Sequence, residues 1–144
     1  MNQMIEQPVA QGNYRPAVRH SDIIYTSGMT PRSNGKLLYS GKICASDAIE
    51  AHRDAVQLAT RNALIAAQAH LAEGENISMI LQLNVFLNTE QGFLLHPKLA
   101  DYASDFLIEE LGATSIGSRA AIGVATLPSD APVEVTLTAA VAVI

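Results

Sequence analysis

A chain of 144 residues is the size of one domain. At this length about 68–70% of the unfolded surface is buried on folding, so no disulfide or metal staple is needed. Hydrophobic residues make up 49%, charged residues only 16%, and the formal net charge is −5. The basic residues are scattered, with only Arg15 and Arg19 close together, which disfavours a nucleic-acid partner.

Cys44 is the single cysteine. It can form no internal disulfide and reads most simply as a thiol of a reducing, cytoplasmic compartment. The N-terminal stretch MNQMIEQPVAQG lacks the basic start and apolar core of a signal peptide. No apolar run is long enough to span a membrane.

In chain order, RPAVRHSDIIYTSGMTP predicts two short strands around a Ser21-Asp22 turn, the second over Ile23–Thr26. Asn34-Gly35 is the pair that best tolerates positive φ at both central turn positions, so a tight hairpin is expected there. SDAIEAHRDAVQLATRNALIAAQAHLAEG predicts a long helix with Ser46 as its cap, Asp47 and Glu50 in its first turn and Gly74 as its stop. Ala55, Leu58, Ala59, Asn62, Ile65, Ala66 and Ala69 form its inward stripe. NISMILQLNVFLNT predicts a strand with Met79, Leu81, Leu83, Val85 and Leu87 on one face. HPKLADYASDFLIEELG predicts a second helix, with Pro97 in its first turn, Gly112 after its end and Leu99, Tyr102, Ala103, Phe106 and Leu107 buried.

The last third predicts two strands joined by LPSDAP. Val133, Val135, Leu137, Ala139, Val141 and Val143 alternate with Glu134, Thr136, Thr138, Ala140 and Ala142. The whole reads as one α+β sheet with two helices on one face. The helices cover one side only, so the other apolar side calls for a second subunit.

Little here suggests metal or phosphate chemistry. His20, His52, His70 and His96 show no ligand spacing, His52 and His70 read as solvent-facing residues of the first helix, and there is no glycine-rich phosphate loop. Cys44 precedes a helix, which lowers a thiol pKa, yet it has no evident histidine partner and reads as inert.

Arg119 is different, because an arginine inside a strand of small apolar residues needs an anion. Unless the strand lies at a sheet edge that lets its head reach solvent, that anion is either a protein carboxylate, Glu134 or Asp130, or a ligand carboxylate gripped by the planar guanidinium. A simple hairpin through LPSDAP would set Leu127 near Val133 and Glu134 beside Thr126. Arg119 and Glu134 would then lie more than roughly 20 Å apart on opposite faces, able to share a ligand only across a subunit interface.

GNYRPAVRHSDIIYTSGMTP and GSRAAIGVATLPSDAPVEV, with the lengths between them, resemble the Rid (reactive intermediate deaminase) family, also known as the YjgF-type or endoribonuclease L-PSP family. The resemblance covers nearly all of the chain, as a single Rid-like domain over residues 1–144. It rests on Tyr14, the T-S-G ending at Gly28, Arg119, the L-P turn and the V-E-V around Glu134. The longer stretch TEQGFLLHPKLA resembles a branch with an extended loop before the second helix.

The resemblance implies a chorismate-mutase-like α+β fold of the bacillus type. It also implies a homotrimer with clefts between subunits. The implied activity is hydrolysis of enamines and imines of amino-acid metabolism to 2-oxo acids and ammonia, as in 2-iminobutanoate/2-aminoacrylate deaminases, with no cofactor and no metal. It implies Arg119 as the carboxylate anchor, and Tyr14 and Glu134 as further catalytic residues. Gly28 and Ala121 would face the ligand through their main chains, with Ser27 nearby. Ala121 stands where the family's deaminases often carry cysteine, and Asp101 where an asparagine is common on the second helix. The alternative is a non-catalytic binder of small carboxylates such as 2-oxo acids. A ribonuclease stands further back, because the chain has no basic stripe, and so does a chorismate mutase, which needs several cations around a dianion.

Overall fold

The structure, a computed structural model, describes residues 6–144. The reading of the N-terminal stretch as no signal peptide falls in part on residues 1–5, outside the described residues.

Strand β1 (Ala17–His20) turns at Ser21-Asp22 into β2 (Ile23–Thr26), with Ser21 at φ 55°. A small hairpin follows, β3 (Arg32–Ser33) and β4 (Lys36–Leu37), around Asn34 at φ 53° and Gly35 at φ 75°. This is the two-residue turn expected of Asn-Gly. Next come helix α1 (Arg53–Gln68), strand β5 (Glu75–Asn88), helix α2 (His96–Leu111), and strands β6 (Ile116–Val124) and β7 (Val133–Val143). The main sheet has the order β1-β2-β7-β5-β6. Helix α1 packs over β7 and β2, and α2 over β6 and β5. Among the described residues, no helix is long and apolar enough to cross a membrane.

Both helices lie on the face that the β7 alternation predicts. Val133, Val135, Leu137, Ala139 and Val141 are buried beneath them, while Val143 at the strand end is exposed. The first helix is shorter than expected. Ser46 does not cap it; a 3₁₀ turn over Ile49–His52 intervenes, and α1 begins without a side-chain cap at His52. Asp47 instead accepts hydrogen bonds from the Cys44 amide and the His52 ring, both at 2.9 Å. Gly74, at φ 81°, turns the chain into β5 after the helix has ended. The stripe also rotates. Val56, Ala59, Thr60, Ala63 and Ala67 are fully enclosed, whereas Leu58 and Asn62 lie on its flank and Ala69 is exposed.

Two further expectations are corrected. In β5, irregularities between Ile77 and Met79 and between Ile80 and Gln82 reset the alternation, as bulges do. Ile77 and Ile80 enter the core with Leu83, Val85 and Leu87, while Met79 and Leu81 are exposed. The last two strands form no hairpin. Strand β5 lies between them, parallel to β6 and antiparallel to β7, so Glu134 stands opposite Phe86 and Phe86 opposite Ile122.

A staple closes the β1 edge. Arg19 grips Glu75 with both terminal nitrogens, at 2.6 and 2.9 Å. The Arg19 hydrogen bond, helped by the Ala72 amide, holds the Glu75 carboxyl down at about 2.

Candidate functional site

Four of the seven candidate residues gather on one cavity of about 570 Å³, lined by Tyr14, Ser27, Gly28 and Glu134 among others. The loop after β2 brings Ser27 and Gly28 against β7. It is fastened there by the Met29 amide to the Val135 carbonyl and the Val135 amide to the Met29 carbonyl, each 2.8 Å. Gly28 lets the Glu134 side chain come close, and a side chain there would push the carboxyl aside. A Cβ on it would stand 2.6 Å from the Glu134 carboxyl carbon and 2.7 Å from its Oε1. The Glu134 carboxyl thus lies against Gly28. Burial raises its pKa above the usual carboxylate range, because a half-desolvated carboxylate favours its neutral form.

Two neighbours already use part of their hydrogen-bonding capacity. Tyr14 accepts from the Gln11 amide at 3.0 Å, which leaves its phenolic proton for a ligand. Ser27 donates to the Arg15 carbonyl at 2.6 Å, so toward a ligand it serves as an acceptor.

Arg119 is elsewhere. It stands level with Leu83 and Leu137, on the helix-covered face of β6 at the edge of the sheet. Its Nη1 donates to Asp101 Oδ1 at 2.8 Å and to Ser104 Oγ at 3.0 Å, both on α2. Its protein partner is therefore Asp101, and neither Glu134 nor Asp130. Ala121, two residues on, shares this face and packs against the core. Glu134 is three residues along and two strands across, about 14 Å away between Cα atoms. An odd offset in register puts the two side chains on opposite faces, as the sequence argument anticipated from a different pairing.

Cys44, read as an inert thiol, is not activated by a helix. Its thiol pKa is raised, by burial first and then by the charges of Glu90 and Asp47; the helix that was to lower it begins only at Arg53. His52 is not a free surface group but pairs with Asp47.

The cavity also has walls that the sequence reading passed over. Arg32, Asn62 and Ser129 line it beside Glu134. Asn62 offered a signal, being an amide within an inward alanine-rich stripe that would need partners. It has them: its Nδ2 donates to the Thr30 carbonyl at 3.1 Å and the Arg32 carbonyl at 2.9 Å. Ser129 is set by Asn88, which is fully buried and donates to Asp130 Oδ1 and the Ala131 carbonyl, both at 3.1 Å.

Known proteins share this framework. Protein TCP17 of Trypanosoma cruzi is 29% identical over 125 residues, 85% of this chain and 78% of its own. Atu1372 of Agrobacterium tumefaciens, a protein of unknown function, superposes with a TM-score of 0.82 at 27% identity, covering 96% of this chain and 87% of its own. A protein of Shewanella oneidensis described as a putative endoribonuclease gives 0.77 at 32% identity, covering 96% and 91%. Residues 2–141 match the family described as "YjgF/chorismate mutase-like, putative endoribonuclease". With the two helices on a mixed sheet, this match establishes that the chain belongs to the YjgF/chorismate mutase-like family.

Proposed function

We propose that the protein hydrolyses reactive enamines and imines of amino acids to 2-oxo acids and ammonia, at sites shared between the subunits of a homotrimer. The observation that carries this reading is the Glu134 carboxyl laid against Gly28 in a cavity with Tyr14 and Ser27. A carboxyl whose pKa burial has raised holds its proton more readily than a free one, which suits it to give and take a proton. An imine carbon is already electrophilic, so little more than positioning, water and a proton is required. Glu134 takes a proton from the attacking water and returns it to the departing nitrogen, and Tyr14 donates to the nitrogen or the water. The reaction R–C(=NH₂⁺)–COO⁻ + H₂O gives R–CO–COO⁻ + NH₄⁺, with no redox change.

Arg119 is the anchor for the α-carboxylate in this reading, supplied by a neighbouring copy. Two features support that arrangement. Strand β6 lies at the sheet edge, where its outer backbone groups can receive a partner. The uncovered face of the sheet also exposes Val18 (46%), Tyr25 (48%) and Ile122 (41%), apolar surface that a second copy would cover. A substrate carboxylate at Arg119 displaces or joins Asp101.

A coupled assay tests the reading. A dehydratase acting on threonine or serine generates 2-iminobutanoate or 2-aminoacrylate in place, and release of the 2-oxo acid is timed. The wild type should accelerate release, whereas Arg119→Ala and Glu134→Gln should not. Co-refolding the two variants at equal ratio should restore about a quarter of wild-type activity, the share of sites that pair an intact Arg119 with an intact Glu134. Saturable binding of 2-oxo acids without acceleration would leave a carboxylate binder instead. The endoribonuclease description finds little support in the charge distribution, since Arg19, Arg53 and Arg119 are each paired with a carboxylate.

A further inference from the structure

We propose that Arg32 is a second anion-binding residue of the Tyr14–Glu134 cavity, and that the substrates of this site are 2-imino acids carrying a second carboxylate at their far end. The proposal rests on the reading of this cavity as part of an imine-hydrolysing site and names its substrate class.

Arg32 is held in place from both sides. Asn62 fastens the carbonyls of Thr30 and Arg32 to α1. The Asn34-Gly35 turn folds the Gly35 carbonyl back toward the guanidinium. The guanidinium then donates Nε to Thr30 Oγ1 at 3.2 Å, Nη1 to the Gly35 carbonyl at 3.0 Å and Nη2 to Ser129 Oγ at 3.3 Å. All three acceptors are neutral.

Among the described residues, no carboxylate comes within ion-pair distance of Arg32, whereas Arg19, Arg53 and Arg119 each have one. A guanidinium has five N–H donors and three are used. One remains on each terminal nitrogen, which is what a two-point grip on a carboxylate requires. Glu6 also lines the cavity, but its carboxylate is taken up by Ser33 Oγ and the Asn34 amide, so Arg32, a partly buried cation whose own partners are neutral, favours an anionic ligand.

Size points the same way. A four-carbon 2-imino acid has seven non-hydrogen atoms, which at a generous roughly 30 Å³ each fill about 200 Å³. The cavity measures about 570 Å³. A ligand with its imine carbon at Glu134 has room for a second acidic group directed to Arg32. The chemistry is otherwise unchanged: water adds to the iminium carbon and ammonium leaves.

The test compares two stable product analogues of equal chain length, 2-oxopentanoate and 2-oxopentanedioate, by calorimetric titration of the full-length protein. The wild type is expected to bind the dicarboxylate at least tenfold tighter. In Arg32→Gln the ratio of the two affinities should fall to near one, and Arg32→Lys should retain part of it. A purely structural role for Arg32 would weaken both acids together and leave the ratio intact. The proposal is overturned if the wild type shows no preference, or if the preference survives in Arg32→Gln with a native circular dichroism spectrum. Should Arg32→Gln fail to fold, the Arg32→Lys ratio decides: an undiminished preference overturns the proposal. If 2-oxopentanoate binds without any preference for the diacid, only the role of Arg32 falls. If neither acid binds the wild type, the reading of the cavity as a carboxylate site falls with it.

Discussion

Glu134 is where stability and chemistry conflict. Its carboxyl, raised above the ordinary value near 4.5 by burial, binds its proton more tightly folded than unfolded. Below the ordinary value both states are protonated and the group is neutral to stability. As pH rises through the folded pKa the native state must ionise a desolvated group, and stability is lost. Glu134→Gln removes this cost. It should melt higher than the wild type at pH 7.5, and the difference should shrink to nothing by pH 4 in scanning calorimetry. The same variant should be inactive in the coupled assay, a gain in stability at the expense of function. An equal Tm difference at both pH values would show that Glu134 ionises in the fold without penalty.

At the same scale, Arg119 stands out in the sequence as a cation within a run of small apolar residues, and Glu134 as a carboxylate that could answer it within the V-E-V motif. Arg32 broke no pattern, since it sits in a polar turn where an arginine is unremarkable. Its place becomes apparent only when Ser129, far along the chain, comes to its side.

Among the elements, what could be read depended on whether one rule governed the segment. Strand β7 is buried on one face along most of its length, so its alternation survives into the structure. Strand β5 carries two irregularities, and a reading of strict period two assigned Met79 and Leu81 inward in place of Ile77 and Ile80. The hairpin expected between the last strands failed because a turn-like LPSDAP was given more weight than the strand–helix–strand order before it. A helix between two strands is what allows them to pair in parallel, and β5-α2-β6 does so.

That parallel contact depends on Gly117. A Cβ there would meet the Ile80 carbonyl oxygen at 2.4 Å, a backbone atom that cannot swing aside. Gly117→Ala should therefore push β6 from β5 and cost about 1–3 kcal/mol, as overpacking does. Chemical denaturation would measure it. The shift would also move Arg119, two residues on, so activity should fall further than the stability loss alone explains. A variant with wild-type stability would mean that the two strands separate freely at this point.

For the whole molecule, the question is what covers the sheet. One face lies under α1 and α2. The other has a polar ladder, Asn84 Nδ2 donating to Thr136 Oγ1 at 3.1 Å and Gln82 Nε2 to Asn84 Oδ1 at 2.9 Å, flanked by the apolar Val18, Tyr25 and Ile122. These amides bond to one another along the sheet, so the ladder can be buried without leaving them unpaired, and the apolar flanks gain from burial. The face is thus suited to contact with its own copies, and in the proposed reaction Arg119 and Glu134 could serve one substrate only across such a contact. Ile122 is the position to probe. It shares a cross-strand row with Glu134 through Phe86, so its side chain is on the open face, away from the helices and the core. Ile122→Lys should leave the circular dichroism spectrum of the subunit intact while placing a charge against the neighbour. In sedimentation equilibrium the wild type should run at three times the 15.3 kDa chain mass, and the variant at the chain mass with its deaminase activity lost. A wild type that already sediments as a single chain, yet turns over the imine, would break the link between assembly and chemistry. Arg119 and Glu134 could not then serve one substrate together, and the anchor would have to be sought within the cavity itself.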